Sequence, residues 1–334
     1  MNLILGAGSV GTVLAAYLVQ SGHPVQIQVR ANKLEKYRDL KRLQVINADD
    51  QMLVDVPAPE IVGEDAAATA THIFLCVKRG ALDDVLKSLK PKLPKTTVIL
   101  PCINGVGLDK AVKAVLPDNP VAPTTIMFNA RVEAPLLARL TTHAEVLVGG
   151  DRPDLHSLFS ADGISSAESD KATEWGKLLI NLNNAICALT HRTFSDLFGG
   201  ETTLMKCFIA VLDEAVGVLR HANIPYSMPA PVPYPVYRFL LLHGRGLPLW
   251  IARRKNGLSD QAHPSMRADL EQGRLTEVDY LNGAVVALAQ EHGLSAPVNA
   301  KLVKLVHDRE AQSNSQAAAC DWSPSELLTA LEDV

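Results

Sequence analysis

Apolar and polar positions in the first part of the chain follow a strand–turn–helix rhythm. Leu3-Ile4-Leu5 is a short apolar run, Gly6-Ala7-Gly8-Ser9-Val10-Gly11 follows, and a helix-forming run begins at Thr12. This order predicts a strand, a tight turn and a helix. Pro24–Val29 alternates apolar and polar residues and predicts a second strand, closed by Arg30. His72–Val77 is an apolar run of strand length that ends at Lys78, with a helical stretch over about 81–89 behind it. Thr97–Leu100 is the next strand, ending at Cys102-Ile103-Asn104-Gly105, and a helix over about 108–115 comes after it. Such alternation predicts an α/β domain with a doubly wound, mostly parallel sheet. Shorter strand-like pieces at 121–127, 137–140 and 145–148 suggest a small antiparallel extension of that sheet.

The pattern changes near residue 168, where strand signals stop. Asp170 can cap a long helix reaching about Leu189, with Trp175, Leu178, Leu179, Leu182, Ile186 and Leu189 as its buried stripe. Further helices are expected over about 202–221 and 276–292, with Gly293 as a C-terminal cap. Between them lie an irregular arm, with prolines at 225, 229, 231, 233 and 235, and an apolar stretch from Phe239 to Ala252. Arg245 interrupts that stretch, which suits a pocket cover or a subunit contact better than a membrane span. Ser323-Pro324-Ser325-Glu326 has the form of a capping box, and Leu327, Leu328 and Leu331 make the short helix after it amphipathic. An oligomer contact is one reading of that helix. The chain divides into residues 1–168, an all-α part over 169–311, and a tail over 312–334.

Composition narrows the class. With 334 residues, two cores are affordable. A formal net charge of −4 and the absence of a dense Lys/Arg run argue against a nucleic-acid partner. The first strand begins at once, and no apolar run reaches membrane length, so no leader and no membrane partner are expected. Five scattered cysteines without C-x-x-C spacing suggest reduced thiols in a cytoplasm. The ten histidines show no metal-ligand spacing, so no metal is expected.

Candidate chemistry gathers at strand ends. In Gly6-Ala7-Gly8-Ser9-Val10-Gly11 the first glycine permits the turn, the second admits a pyrophosphate, and the third lets helix and strand pack closely. Free N–H groups at the helix start then face the anion. A cofactor with a free ribose 2′-hydroxyl would want an acidic residue at the end of the second strand. No acidic residue occurs between Gly11 and Glu35, and Arg30 stands there with Lys33 close behind. A guanidinium there can hold a 2′-phosphate, which favours NADP(H) over a merely solvated arginine. Lys78 sits near a helix N-terminus, where a cation is disfavoured unless an anion binds nearby. Asn104-Gly105 precedes a helix rather than a strand, which argues against a hairpin turn. Cofactor candidates on these grounds are Gly6, Ala7, Gly8, Ser9, Val10, Gly11, Arg30, Lys78 and Asn104, and Asn129 is added to them.

In the second half Lys177, Asn181 and Asn184 are spaced by four and seven residues and share one helix face. That stripe either faces water or lines a pocket for a polar substrate. Glu277, expected in a first turn after Thr276, either favours the helix dipole or serves the site. Gly283 inside a helix suggests close packing or a ligand.

Taken together, these pieces resemble the ketopantoate reductase (2-dehydropantoate 2-reductase) family from Leu3 to about Asp308. The resemblance rests on the glycine turn, Arg30, Val77-Lys78, Asn104-Gly105 and Trp175-Gly176-Lys177 with Asn181. It rests further on Ser265-Met266-Arg267-Ala268-Asp269, set before Glu277 in Thr276-Glu277-Val278-Asp279-Tyr280-Leu281-Asn282-Gly283. It implies a Rossmann domain followed by a helical domain, with catalysis in the cleft between them. It also implies NADPH-dependent reduction of a 2-oxo acid to a 2-hydroxy acid. Lys177 would be the catalytic acid, and Glu277 would help hold cofactor and substrate. Asn104, Asn181 and Ser265 would contact substrate or nicotinamide, and Asn184 joins the substrate set. Two positions depart from the family pattern. Where the family commonly has an asparagine eight residues after the lysine, this chain has Ala185, with the amide at Asn184. Only Ser195 is available for a further polar contact after that helix. Both positions face the substrate, so three readings stand: a ketopantoate reductase of pantothenate biosynthesis, a reductase of another branched or aromatic 2-oxo acid, and a dinucleotide-binding regulatory protein without turnover. A small 2-oxo acid and a second copy of the chain are the partners these readings imply.

Overall fold

The computed structural model describes residues 1–334 apart from Glu64, Asp151, Ala230, Pro231 and residues 314–320, with Ser313 described by its backbone alone. The predicted proline at position 231 and the thiol of Cys320 therefore lie outside the described residues. The chain forms two compact units, Met1–Asp170 and Lys171–Val334.

In the first unit β1 (Asn2–Leu5), α1 (Ser9–Gln20) and β2 (Val25–Gln28) follow the predicted order. Next come β3 (Arg42–Ile46), β4 (Met52–Pro57), β5 (Glu60–Val62) and β6 (His72–Leu75), then α2 (Leu82–Leu89), β7 (Val98–Pro101) and α3 (Leu108–Val115). Five strands make one parallel sheet in the order β5-β2-β1-β6-β7. The chain after α3 returns beside β7 through a parallel bridge between Ile99 and Val121. The sheet is thus built outward in both directions from β1, as in a Rossmann fold. Apolar runs at β1 and β6 are continuous because both faces are covered. Ile4 and Phe74 join the core under α1 with Leu14 and Tyr17. Leu3, Leu5, Ile73 and Leu75 face the other way, against Leu82, Leu86 and Val112 of α2 and α3. Burial in β2 alternates, with Val25 and Ile27 inward, as its sequence does.

The short strands do not extend this sheet. β8 (Thr124–Ile126), β9 (Ala130–Ala134), β10 (Leu137–Leu140), β11 (Ala144–Gly149) and β12 (Ile164–Ser169) belong to two further sheets, ordered β4-β3-β10-β9 and β12-β11-β8. The physical reason is partner choice. β3 and β4, unread in the sequence, give β10 a parallel neighbour, and β12 does the same for β11. A short helix, α4 (Pro153–His156), precedes β12.

The second unit contains helices and no strand among its described residues. The expected helix from Asp170 to Leu189 is two, α5 (Lys171–Asn181) and α6 (Asn183–Leu189). The break at Leu182 is shallow, because its φ of −61° and ψ of −20° stay near helical values. α7 (Phe194–Phe198) and α8 (Thr202–His221) follow. The apolar stretch forms α9 (Tyr234–His243) and α10 (Leu247–Asn256), joined by Gly244-Arg245-Gly246. α11 (Ser265–Glu271) comes next. The helix expected from Thr276 begins only at Asn282, as α12 (Asn282–Glu291), because Leu281 at φ −110°, ψ −92° leaves the helical region. Gly293 takes a φ of +69° just past its end, as expected of a cap. α13 (Pro297–Ser313) has no counterpart in the sequence reading. In α14 (Pro324–Glu332) the Ser323–Glu326 capping box is present. Its Leu327 and Leu331 are buried in its packing on α8, so the stripe suggested as an oligomer contact is used within the chain. Among the described residues no helix is long and apolar enough to cross a membrane.

Candidate active site

The glycine turn sits where strand order reverses, between β1 and its neighbours β2 and β6, with Gly6 N–H donating to the Gln28 carbonyl (3.1 Å). This is the position at which open α/β sheets take ligands. Gly6 has a φ of +112°, and a Cβ there would lie 2.5 Å from the Cys76 carbonyl oxygen. A Cβ on Gly11 would lie 1.9 Å from the Gly6 carbonyl oxygen. Both positions are closed to any side chain. A Cβ on Gly8 would meet nothing within 4 Å, so that glycine faces open space. Gly8 caps α1 with extended backbone and no side-chain bond, and the first turn of α1 carries no acidic residue. The N–H groups of Ser9 and Val10 thus begin a helix that brings no anion of its own. Ala7 lies in the same turn, partly buried against the core. These features fit a dinucleotide pyrophosphate.

Arg30, Lys78 and Asn104 follow the carboxyl ends of β2, β6 and β7, and with Gly6 they share one edge of the sheet. Arg30 is exposed at the start of a 3-10 turn over Ala31–Lys36, with no carboxylate partner among the described residues. Lys78 precedes the turn Arg79–Ala81 that leads into α2. Asn104 lies in the loop between β7 and α3, where Gly105 and Gly107 take positive φ. Asn129 sits between β8 and β9, where its carboxamide oxygen accepts from the Thr141 hydroxyl (2.7 Å) and its backbone N–H donates to Thr142 (2.8 Å).

In the second unit Lys177 and Asn181 lie on α5 and Asn184 on α6. Asn181 and Asn184 are 8% and 6% exposed, so this stripe does not face water. Lys177 is partly buried, and among the described residues no carboxylate pairs with its amine. Burial without a compensating anion pulls its ammonium down from 10.5 to about 8. Sequence reasoning missed Gly176 as more than a neighbour of Lys177. A Cβ there would lie 2.3 Å from the Ser227 hydroxyl and 2.5 Å from the Ser227 carbonyl. Ser227 N–H donates to Ala172 (2.8 Å), so the proline-rich arm crosses α5 in backbone contact beside Lys177. A glycine inside a helix, costly by about 1 kcal/mol relative to alanine, was the available signal.

Ser265 opens α11 and is exposed, and α11 packs on α6. The neighbouring Asp269 is structural. Only 1% exposed, it accepts two bonds from Arg274 (3.0 and 2.8 Å). Glu277 is 8% exposed and begins the 3-10 turn Val278–Tyr280 rather than a first helical turn. That turn is anchored from both sides. Thr276 N–H donates to Glu310 (2.7 Å), and the Asn282 amide donates to Asn299 (3.0 Å), itself held by Glu214 (2.7 Å). A buried carboxylate on an anchored turn can orient a ligand; it does not serve a helix dipole. Ser195, on α7, lies beside Asp260, whose carboxyl is held below the usual range by the Ser195 hydroxyl and the Arg253 guanidinium.

Two family models match the chain. One, described as ketopantoate reductase PanE/ApbA, covers residues 2–152, and the other, ketopantoate reductase PanE/ApbA C terminal, covers residues 171–310. A 2-dehydropantoate 2-reductase from Aquifex aeolicus is 25% identical over 321 residues, spanning 92% of this chain and 96% of that protein. Among solved structures, D-mandelate dehydrogenase with NADH and anilino(oxo)acetate matches at a TM-score of 0.77 and 23% identity, covering 94% of this chain and all of that one (100%). A dimeric ketopantoate reductase from Staphylococcus aureus matches at 0.71 and 18% identity, covering 93% and 99%. At these identities the structures show a shared fold.

Proposed function

The chain belongs to the ketopantoate reductase PanE/ApbA family of oxidoreductases, and from that premise we propose that it reduces 2-dehydropantoate to pantoate with NADPH. The observation that carries the reading is the placement of Lys177, with no carboxylate partner among the described residues, in line with the buried amides of Asn181 and Asn184; burial pulls its ammonium down to about 8. NADPH, held by its pyrophosphate at the Gly6–Gly11 turn, would supply the hydride to the keto carbon. The ketone oxygen then gains negative charge. An ammonium aimed at that oxygen stabilises the transition state more than the ground state, and Lys177 gives its proton to the oxygen. An ordinary lysine at 10.5 would release that proton reluctantly near neutrality, and the lowered value matches donor to task. Asn104, Asn181, Asn184 and Ser265 are assigned to the oxo acid and nicotinamide, and Glu277 to orienting them. Arg30, with Lys33 behind it, is assigned to the 2′-phosphate. Lys78 and Asn129 complete the cofactor set. A homodimer, as in the Staphylococcus aureus protein, is the assembly we assign.

A second reading keeps the reaction and changes the substrate to another branched or aromatic 2-oxo acid. Ala185 in place of a substrate amide favours it, as does the fold likeness to D-mandelate dehydrogenase. A regulatory protein without turnover has no use for a buried proton donor, which weighs against that third reading.

Oxidation of NADPH and of NADH, followed by absorbance against ketopantoate and a panel of branched and aromatic oxo acids, tests the proposal. We expect turnover with NADPH, fastest on ketopantoate. In Arg30→Ala the KM for NADPH should rise about 10- to 100-fold, the scale of a lost charge-assisted bond, with NADH kinetics unchanged. Faster turnover on an aromatic oxo acid would favour the second reading. Tight NADPH binding without oxidation of any substrate would favour the third.

A further inference from the structure

Cys76 and Cys102 follow the ends of two neighbouring strands. The parallel register of β6 and β7 pairs Leu75 with Pro101. The ladder runs one residue further, with Cys76 N–H donating to the Leu5 carbonyl and Cys102 N–H to the Leu75 carbonyl (3.0 Å each). The two cysteines therefore stand side by side. They also share a face of the sheet. Phe74, Leu100 and Cys102 belong to the core under α1, with Cys76 packed against it, whereas Ile73, Leu75, Ile99 and Ile103 face the other way. The two thiols lie in hydrogen-bond contact, and that contact adds to burial in pushing the Cys102 thiol well above its ordinary value. Neighbouring strands are about 4.8 Å apart, inside the roughly 4.4–6.8 Å between Cα atoms that a disulfide spans.

Their surroundings set an order of reactivity. Cys102 is 3% exposed, while Cys76 is only partly buried. Burial pushes up the thiols of Cys187 on α6 and Cys207 on α8, neither of which is exposed. Thiolate character and access together make a cysteine reactive. Of these four, Cys76 is the one that an oxidant in solution can reach. The glycine turn lies against the same pair. Ala7 and Val10 pack on the same core as Cys76. The Cys76 carbonyl oxygen is the atom that closes Gly6, 2.5 Å from where a Cβ would stand. Cys76 is tied into the sheet through its N–H, so a displacement of its side chain passes forward to that carbonyl and on to Val77 and Lys78.

We propose that Cys76 and Cys102 are a site of reversible oxidation, at which a hydroperoxide links them as a disulfide and so weakens the hold of the glycine turn on a dinucleotide. The Cys76 sulfur, as thiolate, attacks one oxygen of hydrogen peroxide. The O–O bond breaks, the departing hydroxide takes up a proton and leaves as water, and Cys76 becomes a sulfenic acid. The Cys102 sulfur then attacks the Cys76 sulfur, the S–O bond breaks, and hydroxide leaves with the Cys102 proton as a second water. Two electrons pass from the two sulfurs to the peroxide. A dithiol reductant returns both thiols and is itself oxidised to a disulfide. Closing the bond draws the sulfurs from thiol contact to about 2.05 Å, and the turn has no room at Gly6 to absorb the movement. The disulfide stands independently of the cofactor reading; its effect on binding rests on that reading.

The test uses the full chain with Cys320→Ser, so that the thiol outside the described residues takes no part. Reduced protein is treated with hydrogen peroxide, blocked with iodoacetamide and peptide-mapped. NADPH affinity is titrated before oxidation, after it, and after dithiothreitol. We expect a linked Cys76–Cys102 peptide and a Kd for NADPH raised about tenfold, both reversed by dithiothreitol. Cys102→Ala should stop at a sulfenic acid on Cys76, which dimedone traps, and Cys76→Ser should leave Cys102 unmodified. A wild type whose Cys76 goes on to sulfinic acid with no linked peptide would overturn the disulfide. A linked peptide with unchanged NADPH affinity would overturn the coupling to the turn. Reduced protein that binds no NADPH would overturn the cofactor reading and the coupling with it, and the peptide map would still decide the disulfide.

Discussion

Three glycines in one turn do three different things, and each has its own consequence on substitution. Gly11→Ala would push a methyl into the Gly6 carbonyl at 1.9 Å. Calorimetry should show a loss of about 1–3 kcal/mol, the range for overpacking. Gly8→Ala meets no atom within 4 Å. Its stability should stay within about 0.5 kcal/mol of wild type. The methyl would stand where we place the pyrophosphate, so NADPH affinity should fall about tenfold, or 1.4 kcal/mol. Loss of stability in Gly8→Ala without loss of affinity would contradict this assignment. Spacing in the sequence marks all three as one motif. The Gly6 carbonyl closes Gly11 from within the turn, whereas Cys76, just past β6 and distant in the chain, closes Gly6. Asp269 was hidden for another reason. It stands in a motif that the family resemblance ties to the site, yet its carboxylate serves Arg274, a pairing that spacing alone does not disclose.

Among elements, strongly patterned ones were legible and weakly patterned ones were not. β1, β6, β7, α1 and α8 announce themselves by apolar runs or helical spacing. β4 has one buried residue in six, and β12 buries only Ile164 and Ser169, so neither shows a clear period. Their strand character comes from pairing with β3 and β11, a non-local effect. Helix ends misled for a different reason. The apolar stripe from Trp175 to Leu189 runs through the break at Leu182, since a shallow break leaves periodicity intact. The α5 crossing carries a prediction of its own. In Gly176→Ala a Cβ at 2.3–2.5 Å from Ser227 forces the arm or α5 to shift. Because Lys177 is the next residue, turnover should fall about tenfold or more with the fold retained, as small misplacements at a reacting group do. Unchanged turnover would show that the arm does not help hold the lysine.

For the whole molecule, the change from alternating elements to helices sets the expected division after residue 168, and the compact units are Met1–Asp170 and Lys171–Val334. The expected tail over 312–334 carries α14, which packs on α8. The proposed reaction asks each unit for one half of the chemistry. If the first unit holds NADPH, saturating NADPH should raise the midpoint of thermal unfolding, by an amount equivalent to about 2.7 kcal/mol at a hundred times Kd. NADH at the same concentration should do less, and the difference should vanish in Arg30→Ala. Equal shifts from both nucleotides in wild type would remove the 2′-phosphate assignment. The second unit's half is the Lys177 proton, and its titration gives the sign of the pH effect. The protonated form is the donor, and burial lowers it from 10.5 to about 8. Activity is therefore full below that value and declines as pH rises through it. The most direct test is turnover of wild type and Lys177→Ala with NADPH and the preferred oxo acid across that pH range. The account predicts a wild-type rate that falls above about pH 8. It predicts a folded Lys177→Ala protein slower by about 10²-fold or more, without that pH limb. A folded variant turning over at near the wild-type rate, with the same pH limb, would contradict it.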